Sequence, residues 1–367
     1  MLPGALPIQH AKHKTIMPDL IPVFDGHNDS LLNLHLSAET DKARLFTQGA
    51  PATWHIDLPR ARKGGFAGGM FAVFAPSPGE DDPDFTASVL GNDEPLPPPL
   101  LMEEARLPTL AMASILFRLE RAGALAVCRS AADIRAAMER DVIAAVFHIE
   151  GAEAIDADFV MLDVLHAGGL RSLGPVWSRP NIFGHGVPFR YPSSPDTGPG
   201  LTDAGKALVR ACNQLNILVD LSHINEQGFR DVATISDAPL VATHSNVHSI
   251  CPHARNLTDW QLDAIRETRG MVGLNFAVEF LHPDGPDGKG ADLDTMLRHL
   301  DAMLQRLGED GVGLGSDFDG APIPAEIGDV SGLPRLIEAL GRHGYGSDLI
   351  EKIAWKNWVG VLERTIG

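Results

Sequence analysis

The chain has 367 residues, 44% of them hydrophobic and 21% charged, and a formal net charge of -18. That balance excludes a disordered chain, and the negative surface repels nucleic-acid backbones and anionic membranes alike. Three scattered cysteines, Cys128, Cys212 and Cys251, form neither a disulfide framework nor a CxxC zinc site, and are expected as buried reduced thiols.

Residues 1–20 lack the apolar core of a signal peptide and are read as an N-terminal extension. No run approaches the ~18 apolar residues of a membrane span, so a cytoplasmic protein is expected. The first apolar run, IPVFDGHND (21–29), closes on His27 and Asp29. Next come GGMFAVFA (68–75), a long helix over roughly 102–122, and VIAAVFHIEG (142–151), which closes on His148 and Glu150. LRSLGPVW (170–177) ends on Trp177. NILVDLSH (216–223) and PLVATHS (239–245) end at His223 and at His244-Ser245. GMVGLNFA (270–277) follows, and GVGLGSDFDG (311–320) carries Asp317 and Asp319.

Each run is nearly continuous in apolar residues, as parallel strands covered on both faces are. Between them lie helix patterns. TDAGKALVRACNQ (202–214) and TDWQLDAIRETR (258–269) both open on a threonine cap, and LDTMLRHLDAMLQRLG (293–308) has helical apolar spacing. Eight strands alternating with helices predict an α/β fold, a TIM-like (β/α)8 barrel. Such a barrel needs about 250 residues, so the rest must be insertions in a single domain, 1–367. The two candidates, 76–100 and 178–201, follow strands and would rise from the active-site face as walls or lids.

Burying charge at the ends of apolar strands is costly unless it is paired or bound to metal. The strand ends converge on one rim of such a barrel, bringing together imidazoles and carboxylates without a thiolate. Alternation along a strand lets His27 and Asp29 face the mouth together and hold one ion. His223 and His244, from adjacent strands, can hold a second, and Glu150 has two oxygens with which to bridge them. That donor set suits Zn²⁺, with Mn²⁺ or Co²⁺ as alternatives. His148 shares the face of Glu150 and is expected to support a ligand from behind. His10, His13, His282 and His299 are read as structural or surface residues.

DGHND (25–29), IEG (149–151), DLSH (220–223), THS (243–245), RN (255–256) and GSDFDG (315–320) resemble, in order, the motifs of the membrane (renal) dipeptidase family of zinc peptidases, family M19. WKNWVGVLE (355–363) resembles that family's terminal helix. The resemblance implies two zinc ions, one held by His27, Asp29 and Glu150, the other by Glu150, His223 and His244. It implies that Asp317 is the catalytic acid/base beside the metal water, and that Arg255 receives a substrate's C-terminal carboxylate. The implied reaction is hydrolysis of dipeptides, L,L and with L,D open, by a metal-bridging hydroxide. A homodimer is also implied. Another metal-dependent amidohydrolase, acting on cyclic amides, lactones or phosphoesters, is the alternative. Three places depart from the family pattern, one of them the second strand, which reads VFAPS (73–77) where an aromatic FW-type pair is common. Trp177 stands where the family has a histidine that reaches the scissile carbonyl, with His185 of the adjacent loop as the substitute. Ala277 stands where a tyrosine is expected.

Overall fold

The apolar runs become nine parallel strands in a computed structural model that describes residues 20–77, 98–285 and 290–367. They are β1 (Val23–Asn28), β2 (Phe66–Phe74), β3 (Leu125–Val127), β4 (Ile143–Glu150), β5 (Leu170–Gly174), β6 (Leu218–Val219), β7 (Val241–Ser245), β8 (Met271–Asn275) and β9 (Val312–Gly315). The expected N-terminal extension and the centre of the first insertion lie outside the described residues.

Around the sheet the order is β6, β5, β4, β2, β1, β9, β8, β7, so each barrel strand neighbours its successor in sequence. A parallel bridge between Asp220 and Val241 joins the two ends and nearly closes an eight-stranded TIM-like barrel. The ninth strand, β3, was not expected. Its three residues pair with the start of β4 below the point where β5 takes over. Several strands are shorter than their apolar runs. β5 stops at Gly174 because Pro175 has no N–H to donate to a ladder.

Side-chain alternation sorts the core into two layers. Phe24, Met70, Ala144, Val146, Val241 and Met271 pack inside the barrel with Trp358 of the terminal helix Asn357–Thr365. Ala145, Phe147, Ile149 and Leu274 face outward under the surrounding helices. Trp358 plugs the barrel floor and donates its indole N–H to Leu314 O at 2.8 Å. A Cβ at Gly26 would lie 2.4 Å from that indole ring, which is why the strand carries glycine there.

The expected helices form where their caps place them. Thr202 accepts the Gly205 N–H at the start of Asp203–Gln214, and Thr258 with Gln261 forms a capping box on Asp259–Glu267. The 178–201 loop lies across the C-terminal rim, where Val187 N donates to His223 O at 2.8 Å and Ser193 N to Pro252 O at 2.9 Å. Among the described residues no helix is long and apolar enough to cross a membrane.

Candidate metal centre

His27, Asp29, Glu150, His223 and His244 meet at the C-terminal mouth of the barrel, all buried. Strict alternation does not account for this. Phe24 lies in the inner layer, so an unbroken pleat would turn His27 outward. The β1–β2 register shifts between Asp25 and Asn28. Likewise Val241 points inward, and the β7–β8 register shifts between Ala242 and Ser245, across His244. Such irregularities at barrel rims re-aim side chains, and here the two imidazoles stack with centroids 3.8 Å apart. Asp29 lies beyond the strand, at the N-cap of the helix Ser30–Leu36. Its carboxylate makes no cap bond and turns instead to His27 Nε2 at 3.2 Å.

Glu150 stands between two groups of donors. Its Oε2 lies 3.6 Å from His27 Nε2, while Oε1 lies 3.0 Å from His223 Nε2 and 3.3 Å from His244 Nε2. The two Nε2 atoms are 3.2 Å apart. Both triads, His27–Asp29–Glu150 and Glu150–His223–His244, keep their donor atoms within 4.8 Å of one another. The outer nitrogens are occupied: His223 Nδ1 meets Ser178 Oγ at 2.9 Å, and His244 Nδ1 meets Thr243 Oγ1 at 2.8 Å. That leaves the Nε2 lone pairs facing Glu150, the arrangement a metal ligand needs.

The electrostatics fit a cation. Burial raises the Glu150 carboxyl well above its ordinary value, and the neighbouring Asp29 and Asp317 add to the rise against the pull of His27. Burial disfavours charge on His27 too, but Glu150, Asp29 and Asp317 outweigh it and hold that imidazole up at about 10. A proton on His27 thus answers the cluster's negative charge, a part that a dication fills better. His223 and His244 are pushed well below the usual histidine range by burial, with Arg255 and His27 contributing, and stay neutral as ligands must.

Asp317 follows β9 with a left-handed φ of 59°, and accepts Asn275 Nδ2–H at 2.9 Å. It joins His27 and His244 in a further group of converging donors. Gly320 lets the chain pass this point, since a Cβ there would sit 2.2 Å from Asp29 Oδ2. Asp319 turns away, accepting the His55 N–H at 2.6 Å.

The clustered carboxylates line a cavity that is open to solvent. One wall is aromatic: Phe74, Trp177, Phe189 and Phe280 follow each other with centroids 5.0, 5.6 and 6.1 Å apart. Phe189 comes from the 178–201 loop, so that insertion supplies part of the wall. Trp177 lines the cavity 5.9 Å from the His223 ring, and Ala277 is buried behind the wall. His185 does not line this cavity. Its loop carries a Gly186–Ile224 bridge, and the Asn225 N–H donates to the His185 carbonyl. Arg255 is buried and does not itself line the cavity. It donates to Ser245 Oγ at 3.3 Å and His244 O at 3.2 Å, and its Nε has no hydrogen-bond partner.

Several supporting residues escaped the sequence reading. Asp220 and Thr243 lie within the DLSH and THS motifs but were given no role there: Thr243 holds His244, Asp220 holds Thr243, and Asn275 holds Asp317. Arg179 and Glu153 form a fully buried pair at 2.9 Å under the aromatic wall, with no pattern in sequence to join them. Glu279 lines the cavity from the short helix Val278–Leu281 after β8. His148 stands edge-on to His27 at 5.4 Å and bonds Ser172 Oγ at 2.8 Å, directly behind the cluster.

The model of the membrane dipeptidase family, peptidase family M19, matches residues 11–366. A Rhodobacter sphaeroides metallo peptidase, solved with a phosphinate mimic of the dipeptide L-Ala-D-Ala, superposes with a TM-score of 0.90 and 54% identity, over 95% of this chain and all of its own. A solved dipeptidase of family M19 superposes equally well, at 53% identity over the same shares. A Klebsiella pneumoniae protein of the pqqA 5' region is 50% identical over 242 residues, 66% of this chain and 89% of its own.

Proposed function

The chain belongs to the membrane dipeptidase family, peptidase family M19, and we propose on that footing that it is a binuclear zinc dipeptidase acting on dipeptides with a free C-terminal carboxylate. The observation that carries this reading is Glu150. Its two oxygens address different sets of donors, with His27 and Asp29 on one side and His223 and His244 on the other. His27, Asp29 and Glu150 would hold one ion, and Glu150, His223 and His244 the other. Zinc ions bound there supply Lewis acidity and water acidified to a pKa of about 7.

This chain's residues do the rest. Asp317, held by Asn275, takes the proton of the attacking water and returns it to the leaving amine. Arg255 offers the positive charge for the substrate carboxylate, and its unpartnered Nε is consistent with a missing anionic ligand. Trp177 and Phe189 shape the apolar side of the site and keep water from the reacting bond.

Metal analysis and a dipeptide screen on one preparation test the reading. About two zinc ions per chain are expected, with hydrolysis of L,L or L,D dipeptides that is lost on chelation and restored by zinc. Full activity in metal-stripped protein, or a zinc-replete protein that cleaves lactones or phosphoesters but no dipeptide, would overturn it.

A further inference from the structure

Glu279 has no part in the metal cluster, yet it lies on the same cavity. It is 8% exposed, and it lines the cavity together with Phe280, Asp29 and Glu150. Among the described residues no donor hydrogen-bonds its carboxylate and no cation pairs with it. Arg255 acts on it only through space, and the Arg255 guanidinium donates to Ser245 and His244 instead. The residue as a whole is buried while its carboxylate opens onto the cavity, where a ligand can complete it.

We propose that Glu279 is the receptor for a positively charged ammonium group of the substrate. The inference rests on the dipeptidase reading and deepens it, because it names what the cavity recognises besides a carboxylate. Three features specify an ammonium. The group facing the cavity is a carboxyl that a cation beside it would hold ionised, so the ligand that completes it carries positive charge and donates. One carboxylate flanked by aromatic faces gives too few oxygens for a metal ion but suits a compact N–H cation, which aromatic faces also attract. The metal donors are already committed, so Glu279 adds an anionic position separate from the ions. In the free cavity, burial and the nearby Asp317 push its carboxyl up to about 8 against the pull of Arg255, the response of an acid that lacks its counter-charge. A dipeptide carries such a group at its N-terminus, and a basic side chain carries a second.

Kinetics on the zinc-loaded enzyme separate the sources. The substrates are L-alanyl-L-alanine, its des-amino analogue propionyl-L-alanine, L-lysyl-L-alanine and L-alanyl-L-lysine. If Glu279 holds the α-ammonium, Glu279→Gln raises KM for alanyl-alanine about tenfold or more and leaves that for propionyl-alanine unchanged. If it holds a side-chain ammonium, the penalty is confined to one of the two lysine peptides. Equal changes on every substrate, propionyl-alanine included, or no change on any, would overturn the proposal. A second measurement needs no variant: n-propylammonium should compete with alanyl-alanine on the wild-type enzyme where propanol at the same concentration does not. Equal effects of the two would also overturn it. A wild-type enzyme that cleaves no dipeptide would instead remove the functional reading itself.

Discussion

The hydroxyl of Thr243 donates to Asp220 Oδ2 across 2.6 Å. The same oxygen meets His244 Nδ1 at 2.8 Å, while Asp220 Oδ1 accepts the N–H groups of Ser222 and Thr243. Because the hydroxyl hydrogen goes to Asp220, its oxygen accepts from the imidazole and fixes the tautomer that leaves Nε2 free. Removing such support typically costs 10–100-fold in metal affinity. Thr243→Val should therefore weaken zinc binding by about that factor in a chelator competition titration, while Thr243→Ser stays close to wild type. Unchanged affinity in the valine variant would show that packing alone orients His244.

On the proposed reading Asp317 carries the proton transfer and is not needed to hold metal. Asp317→Asn keeps the shape, and asparagine tolerates the left-handed φ of 59° better than most residues. The variant should keep its zinc and its KM but lose roughly 10²–10⁴ in kcat. A kcat within a few-fold of wild type would move the acid/base role elsewhere.

Arg179 ties three loops together beneath the aromatic wall. Its guanidinium meets Glu153 Oε1 at 2.9 Å, Ser77 Oγ at 2.7 Å and the Ala75 carbonyl, and stands 5.3 Å from the Trp177 ring. Arg179→Leu leaves the Glu153 charge buried and alone, which costs about 3–5 kcal/mol. Urea unfolding should show that loss, and the double variant with Glu153→Leu should recover part of it. A double variant as unstable as the single would mean that the lost loop contacts matter more than the orphaned charge.

His299 makes stability depend on pH away from the metals. Its Nδ1 accepts the Val247 N–H at 3.1 Å and its Nε2–H donates to Leu281 O at 2.9 Å. Burial holds its pKa down at about 4. The unfolded imidazole titrates near 6.5, so between the two values the unfolded chain carries more protons. The contribution is complete above about pH 6.5 and is lost as the pH falls through about 4, some ~3 kcal/mol in all. The urea midpoint of metal-stripped protein should fall over that window, and less steeply in His299→Gln. Identical slopes in the two proteins would exclude His299 as a source.

The eight barrel strands were legible because a parallel strand covered on both faces is a nearly continuous apolar run, and the candidate site was legible because histidines and carboxylates gather toward the C-terminal ends of those runs. β3 was not, since three residues carry too little pattern. The Arg179–Glu153 pair was not, because its partners are 26 positions apart on different loops and nothing local marks either as buried. Glu279 reads as an ordinary acidic residue after a strand until the fold brings it to one cavity with Phe280, Asp29 and Glu150. Trp177 and Ala277 could be seen to differ from the family pattern, yet only packing shows the aromatic wall to which Trp177 belongs.

Sequence alone determined the alternation of strands and helices, the rim on which the polar residues gather and the chemistry of the donors. Tertiary structure decided which way those donors point. Alternation from Phe24 and Val241 would have turned His27 and His244 out of the barrel, and the register shifts in β1 and β7 turn them in. A register depends on hydrogen bonds between strands far apart in sequence, and no single strand records it. Glu150 was legible as a strand-end carboxylate, but its place between two sets of donors exists only once the barrel closes.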